Sequence, residues 1–202
     1  MRRLIIAGIH TEVGKTVAAT IVTEALSAYY WKPVQCGMPR DTEVVQASLS
    51  AENRTYPERY CLKASASPHL AAEQEGIRIE VTDLIPPNSP THLVIEGTGG
   101  IFTPLNEKES WIDAAVQWDA AWILVHRPYL GSYNHFLLTV EALQRRGVDL
   151  FGVIFNGPVD AMLLERTKTR SLGQLAWHAD LGKESVARSA NLIKEELLCA
   201  LG

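Results

Sequence analysis

Gly8-Ile9-His10-Thr11-Glu12-Val13-Gly14-Lys15-Thr16 is the stretch that decides the fold. It follows the apolar run Leu4-Ile5-Ile6-Ala7 and precedes an amphipathic pattern from Val17 to Tyr29, so it predicts a strand, a loop and a helix. Backbone N–H groups and the positive end of the helix dipole would face an anion there. Lys15 adds a charge for β- and γ-phosphate oxygens, and Thr16 offers a hydroxyl to Mg²⁺. The stretch therefore predicts a nucleoside triphosphate site.

The spacing of this loop departs from the usual phosphate-binding pattern, G-x-x-x-x-G-K-[ST]. Five residues, not four, separate Gly8 from Gly14, so the loop is a lengthened variant. The alternative is an ordinary glycine-bearing turn between a strand and a helix. Glycine, lysine and threonine rarely coincide by accident at the start of a helix, and this favours phosphate binding.

The composition indicates one globular domain over residues 1–202, because a chain with 47% hydrophobic residues can build one sizeable core. Its net charge is −4, and no basic block is long enough to indicate a nucleic-acid partner. Cys36, Cys61 and Cys199 lie far apart without a C-x-x-C pair, which favours reduced thiols in the cytoplasm. The first apolar run ends too soon for a signal peptide, and no membrane span is predicted.

Short apolar strands alternate with helical patterns along the chain, which is typical of a parallel sheet. Strands are predicted at residues 30–35, 92–96, 121–125 and 151–155. Helices are predicted from Lys15 to about Tyr30, over residues 41–49, after the Ser67-Pro68 cap and over residues 132–146. The pattern predicts an α/β fold of the P-loop NTPase type, with a mostly parallel sheet and helices on both faces.

Residues at the strand ends are the candidates for chemistry, because an open α/β sheet binds ligands at the carboxyl ends of its strands. Lys32, within an apolar strand and followed by Pro33, brings a second lysine to the edge that carries the phosphate loop. Glu96 ends another strand, and its carboxylate, with Thr16 and Asp41, supplies the oxygen ligands that Mg²⁺ prefers. The alternatives are a solvated surface lysine and an exposed or helix-capping acid.

Asn156-Gly157 follows the last predicted strand. The Asn156 amide is suited to reading a nucleobase edge, and the alternative is a turn residue. The six histidines show no metal-binding spacing. His69 and His135 are therefore interpreted as helix-start or supporting residues rather than as bases.

Four further motifs follow the phosphate loop. They are Lys32-Pro33-Val34-Gln35-Cys36-Gly37, Ser67-Pro68-His69-Leu70-Ala71-Ala72, Ile95-Glu96-Gly97-Thr98-Gly99-Gly100 and Leu130-Gly131-Ser132-Tyr133-Asn134-His135. With the phosphate loop, and in this order, they resemble the dethiobiotin synthetases of the biotin pathway over nearly the whole chain. The corresponding family patterns are G-T-x-T-[DE]-V-G-K-T, K-P-V-x-[ST]-G, S-P-H-x-A-A, V-E-G-A-G-G and L-G-x-x-N-H.

The resemblance implies a single ATP-dependent ligase domain over residues 1–202 that closes a cyclic urea. In the family, 7,8-diaminopelargonate and CO₂ form a carbamate, and ATP phosphorylates it to a carbamic–phosphoric anhydride. The second amine then displaces phosphate, which gives dethiobiotin, ADP and phosphate. The resemblance also implies Mg²⁺ as cofactor and a homodimer, because the family clamps the substrate carboxylate with residues of the neighbouring subunit.

The resemblance also assigns roles to individual residues. Lys32 and Lys15 correspond to the catalytic lysines, and Thr16, Asp41 and Glu96 to the metal ligands. The implied substrate-binding residues are Thr11, Lys32, Cys36, Gly131, Ser132, Tyr133 and Asn134. The implied ATP-binding residues are Glu12, Val13, Gly14, Lys15, Thr16, Val17, Asp41, Glu96, Gly97, Thr98, Gly99, Asn156, which would contact adenine, and Gly157.

Two departures from the family pattern bear on ligand binding. Cys36 stands where the family has Ser or Thr, so a weaker thiol contact replaces a hydroxyl hydrogen bond to the substrate. The alternative for Cys36 is a buried, inert thiol. Leu175-Ala176-Trp177 stands where the family often has a proline-containing turn beside adenine.

Two other functions remain as competing interpretations. A dimeric P-loop ATPase switch of the partitioning or metal-insertion type shares the fold but carries a second lysine near the start of its phosphate loop. The residues from Ile9 to Glu12 contain none. An amide-forming synthetase of the cobyrinic type usually adds a glutamine-hydrolysing domain, for which 202 residues leave no room.

Overall fold

A computed structural model describes residues 1–148, 150–176 and 181–201. Trp177, part of the expected adenine-side turn, lies outside the described residues. The strands are β1 (Arg3–Gly8), β2 (Tyr29–Trp31), β3 (Val34–Cys36), β4 (Thr55–Tyr56), β5 (Tyr60–Leu62), β6 (Leu93–Glu96), β7 (Ala120–His126), β8 (Leu150–Asn156) and β9 (Ser171–Leu175). The helices are α1 (Lys15–Ala25), α2 (Asp41–Ser48), α3 (Pro68–Gln74), α4 (Trp111–Ala115), α5 (Ser132–Arg145), α6 (Ala161–Thr167) and α7 (Lys183–Leu201).

Seven of the strands form one parallel sheet in the order β4-β2-β6-β1-β7-β8-β9. Strands β3 and β5 pair in a separate two-stranded parallel sheet. Parallel crossovers are right-handed. Helix α1 leads from β1 toward β2 at one edge of the sheet, whereas α5 and α6 lead toward β9 at the other edge. Helix α1 therefore lies on the face opposite α5 and α6. The predicted α/β architecture of the P-loop type is confirmed.

The centre of the sheet is apolar on both faces. Strand β1 pairs with β6 on one side and β7 on the other, and Leu4, Ile5 and Ile6 have no solvent exposure. Helix α5 packs Phe136 and Leu143 into the same core. A sheet covered by helices needs strands that are apolar throughout, and this explains the unbroken apolar runs in the sequence.

The first helix ends earlier than the sequence predicts. Helix α1 stops at Ala25, not near Tyr30, because Ser27 adopts a left-handed φ of 48° that takes the chain out of the helix. Tyr30 instead belongs to β2 and is buried within the large sheet. The apolar residues that follow Ala25 therefore belong to a buried strand and do not extend the helix.

The predicted strand over residues 30–35 is wrong. It is two strands in two different sheets, and Lys32 and Pro33 lie between them. Proline has no N–H to donate to a ladder, so Pro33 interrupts the pairing of β2. The Pro33 carbonyl still accepts bonds from the backbone N–H groups of Arg59 and Tyr60, at 2.9 and 3.0 Å. Lys32 thus follows a strand end rather than lying inside a strand.

The other predicted elements are found with small shifts. The strands at 92–96, 121–125 and 151–155 correspond to β6, β7 and β8, and the helices at 41–49 and 132–146 to α2 and α5. Ser67 is the N-cap of α3 and Pro68 occupies its first turn. In the described part of the chain, no helix is long and apolar enough to cross a membrane.

Replacing Ile5 by Ala is expected to lower the free energy of unfolding by about 2–5 kcal/mol, because it leaves a cavity in the centre of the sheet. Ile85→Ala is the matched control, since the Ile85 side chain is 74% exposed. Its effect should stay within about 0.5 kcal/mol. Urea unfolding measures both, and an equally small loss in the two variants would contradict the assigned core.

Candidate active site

The phosphate loop connects β1 to α1 at the carboxyl edge of the sheet. Gly14 caps α1 with a φ of 93°, in the left-handed region. A Cβ atom at Gly14 would lie 2.4 Å from Nδ2 of Asn156, so the loop and the Asn156 side chain leave space only for glycine. The Asn156 amide donates a hydrogen bond of 3.0 Å to the carbonyl of Val13. The end of β8 therefore supports the loop directly.

Arg127 is a contact of this loop that the sequence reasoning missed. Its Nη1 donates to the carbonyl oxygen of Glu12 at 2.9 Å. Glu12 has a φ of 60°, which is uncommon for a residue other than glycine. Strained backbone of this kind persists where the surroundings hold it, and it is frequent at ligand-binding loops. A positively charged residue directly after strand β7 is the sequence feature that could have indicated this contact.

The Lys15 side chain is buried, and its ammonium pairs directly with no carboxylate among the described residues. Its Nζ donates to the carbonyl oxygen of His10 at 3.0 Å, across the phosphate loop. Burial lowers the pKa of Lys15 to about 8; Glu96 and Asp41 oppose this shift and Lys32 adds to it. Anionic phosphate oxygens would restore the charge that burial disfavours.

A buried charge cluster, made of Lys32, Asp41 and Glu96, lies beside the loop. The Lys32 ammonium donates to Oδ2 of Asp41 and, at 2.8 Å, to Oε1 of Glu96. Thr16 Oγ1 donates to the same Glu96 oxygen at 2.9 Å, and the Tyr30 hydroxyl donates to Oε2 at 2.7 Å. Three predicted site residues and the phosphate-loop threonine thus meet at one point.

The charges of this cluster depend on one another. Burial alone would lower the pKa of Lys32, but the Glu96 and Asp41 carboxylates outweigh it and raise that pKa to about 12. Burial and the neighbouring Glu96 raise the pKa of Asp41, against the attraction of Lys32. Burial and Glu96 also hold the pKa of Tyr30 well above its usual value. The lysine stays charged because the carboxylates surround it.

Glu96 and Lys32 do not fit their alternative interpretations. Glu96 is 1% exposed and Lys32 is 7% exposed, so neither is a solvated surface charge. Isolated charges are rarely buried, and both here are paired and hydrogen-bonded. Nothing in the residue pattern indicated the Tyr30 contact, since an apolar strand also accepts tyrosine as a packing residue.

The oxygen atoms of the cluster suit a hard divalent cation. Thr16 offers a hydroxyl, and Asp41 and Glu96 offer carboxylates, within one hydrogen-bonded group. Magnesium prefers such oxygen ligands and completes its shell with phosphate oxygens and water. No group of three or more His, Cys, Asp or Glu suited to a metal occurs among the described residues. The donor set therefore fits a magnesium nucleotide better than a protein-only metal cage.

The glycine-rich strand end lies next to the phosphate loop. The backbone N–H of Gly97 donates to the carbonyl of Ile6 in β1 at 3.0 Å. A Cβ atom at Gly97 would lie 2.8 Å from Nε1 of Trp111, and one at Gly100 would lie 3.9 Å from the carbonyl oxygen of Gly8. Thr98 and Gly99 are half-buried between them. This loop forms a second wall of the site.

Two predicted substrate residues lie at the rim of the site. Thr11 is exposed in the phosphate loop. Cys36 is half-buried at the end of β3, in register with Leu62 of β5. Burial raises the pKa of the Cys36 thiol to about 11, although Lys32 opposes the shift. Cys36 is therefore neither fully buried nor an activated thiolate.

The predicted carboxylate clamp forms the amino end of α5. Gly131 caps the helix with a φ of 97°. The buried Ser132 hydroxyl has no hydrogen-bond partner among the described residues, and Tyr133 donates its hydroxyl proton to Asp160. Asn134 is exposed. Asn134 is therefore exposed to an incoming anion, whereas the Ser132 hydroxyl is shielded from solvent.

Rings connect this helix end to the phosphate loop. The His10 ring stacks on that of His135, with centroids 5.7 Å apart and planes inclined by 9°. Tyr129 contacts both rings, and its hydroxyl bonds Nδ1 of His135 at 2.7 Å. His135 thus supports the start of α5. His69 likewise lies at a helix start, 3.1 Å from the Ser67 hydroxyl.

Gly157 and Val17 complete the predicted nucleotide residues. Gly157 follows β8, and its N–H donates to the carbonyl of Leu175 in β9 at 3.2 Å. Val17 lies in the first turn of α1. Gly157 therefore lies between the ends of β8 and β9, directly after Asn156.

The fold and site define a P-loop protein that uses a nucleotide, and comparisons with known proteins agree. A family described as an AAA domain matches residues 2–185. The chain is 42% identical over 180 residues to the ATP-dependent dethiobiotin synthetase BioD of Rhodopseudomonas palustris (strain TIE-1), covering 86% of this chain and 85% of that protein. It is 39% identical to the BioD of Cytophaga hutchinsonii, covering 94% and 96%. The chain belongs to the ATP-dependent dethiobiotin synthetase family.

Solved structures support the fold alone. The cell division ATPase MinD of Pyrococcus furiosus superposes with a TM-score of 0.63 at 12% identity, covering 98% of this chain and 99% of that one. A plasmid partition protein from Borrelia burgdorferi gives a TM-score of 0.58 at 14% identity, covering 98% of each chain. Partitioning ATPases and this family share an architecture.

Tyr30→Phe is expected to lower the free energy of unfolding by about 1–3 kcal/mol, because it removes a donor from the buried Glu96 carboxylate. Tyr29→Phe is the matched control on the same strand, and its effect should stay within about 0.5 kcal/mol. Thermal or urea unfolding compares the two variants. Equal, small losses would mean that the bond to Glu96 contributes nothing.

Alkylation of Cys36 should depend steeply on pH, because the thiolate is the reacting species. With a pKa of about 11, the labelling rate should rise about tenfold per pH unit between pH 8 and 10. The measurement uses iodoacetamide and mass spectrometry on a Cys61→Ser, Cys199→Ser background. A rate that levels off above about pH 8.5, as for an ordinary thiol, would contradict the burial of this group.

Proposed function

We propose that this protein closes the ureido ring of dethiobiotin from 7,8-diaminopelargonate, CO₂ and ATP, in biotin biosynthesis. The observation that carries the proposal is the convergence of Lys15, Lys32, Thr16, Asp41 and Glu96 at one edge of the sheet. Its relatives named ATP-dependent dethiobiotin synthetase support the same conclusion. Phosphoryl transfer needs positioning and positive charge more than covalent chemistry, and this edge offers both.

The reaction proceeds in three steps. One amine of the diamine attacks CO₂ and loses a proton, which gives a carbamate. A carbamate oxygen then attacks the γ-phosphorus of ATP, the bond to the β-phosphate oxygen breaks, and ADP leaves. Finally, the second amine attacks the carbamate carbon and loses a proton, and the C–O bond breaks to release phosphate.

The two lysines act on different parts of the developing charge. Lys15 lies at the phosphate loop, where its ammonium would neutralise the β- and γ-phosphate oxygens. Lys32 lies beside Asp41 and Glu96, where it would stabilise the carbamate and the transferred phosphoryl group. Fixed charges aimed at a transition state need no reorganisation during the reaction, so they lower its barrier.

Mg²⁺ would be held by Thr16, Asp41 and Glu96, whose oxygen atoms suit it. When bound, it would neutralise phosphate charge during transfer. The loop around Gly97 would then close the nucleotide site from the side of β6. Asn156, which already holds the Val13 carbonyl, would present the rest of its amide toward adenine.

The diamine would lie between Cys36 and Thr11 of the phosphate loop. Its carboxylate would bind at the amino end of an α5 helix, at Gly131, Ser132, Tyr133 and Asn134. The positive end of a helix dipole and free N–H groups favour an anion there. In the proposed homodimer this helix end belongs to the neighbouring subunit.

A partitioning or metal-insertion ATPase is not favoured. Solved partitioning proteins share the fold, but at 12–15% identity, which carries no function. The phosphate loop lacks the second lysine of such switches, since the residues from Ile9 to Glu12 include none. Relatives at 38–45% identity are synthetases.

The direct test is to incubate the purified protein with 7,8-diaminopelargonate, bicarbonate and MgATP and to follow the products by mass spectrometry. Dethiobiotin should form with one ADP for each ring closed. Omission of bicarbonate should stop both products. ATP hydrolysis that proceeds equally without the diamine would reject the proposal and favour a nucleotide switch.

Lys15→Ala and Lys32→Ala should each lower turnover about 100-fold or more, as expected when a preorganised charge is lost. The Lys32 variant should still bind MgATP, since the proposed partner of Lys32 is the carbamate. Calorimetry with a non-hydrolysable ATP analogue measures binding, and initial rates measure turnover. Lys194→Ala, on the exposed face of α7, is the control. Full turnover in the Lys32 variant would remove Lys32 from the mechanism.

A further inference from the structure

The oxygen atoms that suit a metal are already bonded to a cation of the protein itself. Lys32 donates to one oxygen of Asp41 and to Oε1 of Glu96. Thr16 donates to that same Glu96 oxygen, and Tyr30 occupies the other one. The Lys32 ammonium therefore lies where the three proposed metal ligands converge.

We propose that Lys32 occupies the cation position between Asp41 and Glu96 in the nucleotide-free protein and leaves it when the magnesium nucleotide binds. The exchange makes the ammonium available to the carbamate only after ATP is in place. Its catalytic consequence rests on the proposed function, but the exchange itself concerns residues of this chain.

Electrostatics makes the two occupants exclude each other. A divalent ion bound to these carboxylates would lie within a few ångströms of the ammonium nitrogen, and like charges at such separations repel strongly in a buried site. One carboxylate oxygen also has only limited room for donors, and Oε1 of Glu96 already accepts bonds from Thr16 and Lys32. A metal at this point therefore requires Lys32 to move.

Lys15 does not share this role. Its Nζ bonds to the carbonyl oxygen of His10 and makes no hydrogen bond to either carboxylate. It influences Asp41 and Glu96 only through space. Removing Lys15 would therefore weaken general repulsion, whereas removing Lys32 would vacate the bonding position. Lys15 and Lys32 carry the same charge, but only Lys32 bonds to the two carboxylates. Comparing their variants therefore separates the effect of the bond from the effect of the charge.

The position of Lys32 in the chain allows the side chain to move without the backbone. The residue lies between β2 and β3, and Pro33 restricts the backbone that follows it. A lysine side chain has four rotatable bonds, and its ammonium is a compact charge that changes partner readily. The exchange thus needs rotamer changes of one residue, not a rearrangement of strands.

The exchange also orders the reaction. Before nucleotide binds, the Lys32 ammonium is held by hydrogen bonds to Asp41 and Glu96. Once the magnesium nucleotide occupies the carboxylates, the released ammonium faces the γ-phosphate and can also pair with the carbamate. Stabilisation of the carbamate by Lys32 is thereby restricted to complexes that already hold ATP.

The test is Mn²⁺ binding to the nucleotide-free protein, followed by electron paramagnetic resonance of the free ion. Lys32→Met, which keeps the side-chain length, should bind Mn²⁺ about tenfold more tightly than the wild type or better. Lys32→Arg keeps a cation and should bind as weakly as the wild type. Lys15→Met should gain clearly less than Lys32→Met, and Lys194→Met should be unchanged.

Stability supplies a second readout, because Lys32→Met leaves the buried Glu96 and the half-buried Asp41 without their cation. Added Mn²⁺ should raise the Tm of Lys32→Met more than that of the wild type, since a ligand stabilises the state it binds. Should Lys32→Met not fold, Lys32→Gln is titrated in the same way. Unchanged Mn²⁺ affinity in a folded Lys32 variant, or an equal gain in Lys15→Met, would overturn the proposal.

These titrations contain neither diamine nor bicarbonate, so they separate the exchange from the reaction. If the wild type makes dethiobiotin but Lys32→Met binds Mn²⁺ no more tightly, the exchange is rejected and the proposed function stands. If Lys32→Met binds Mn²⁺ more tightly but the wild type makes no dethiobiotin, the proposed function is rejected and the exchange stands.

Discussion

The bonds from the Lys32 ammonium to Asp41 and Glu96 are the interaction on which the site depends. They allow Lys32 and Glu96 to be buried beside the half-buried Asp41, which isolated charges would not tolerate. Glu96 in turn bonds to Thr16 of the phosphate loop and to Tyr30 of β2. The Glu96 carboxylate therefore holds β6, β2 and the phosphate loop together, at the sheet edge where the fold binds ligands.

The phosphate loop is held from the opposite side by strands β7 and β8. Asn156 and Arg127 bond to the loop carbonyls of Val13 and Glu12, and the His10 ring stacks on His135 of α5. The phosphate loop and the proposed carboxylate clamp are thus in direct contact with each other. A change of loop conformation on nucleotide binding would be transmitted to the start of α5 through these contacts.

Much of the fold was predictable because its signals are local. The phosphate loop, the buried strands β6, β7 and β8 and helix α5 each have a run of residues long enough to show its periodicity. The two-residue strand β4 has no such run. The break at Lys32-Pro33 was missed because apolar residues continue on both sides of it, while the two halves join different sheets. Which sheet a strand joins depends on the strands it pairs with, and these lie far away in the sequence.

The candidate site was predictable as a set of residues but not as a set of contacts. Family motifs indicated Lys32 and Glu96, and Asp41 was the candidate acid at a predicted helix start, yet their mutual bonds depend on how the ends of β2 and β6 meet the start of α2 in space. Tyr30 and Arg127 have ordinary sequence surroundings, so only the fold reveals their roles. Phosphorylation of a carbamate by ATP at this site can be tested with ¹⁸O-labelled bicarbonate. We expect ¹⁸O from CO₂ to appear in the released phosphate, where ³¹P NMR detects it as an isotope shift. Phosphate without the label would show attack by water and would exclude a phosphorylated carbamate.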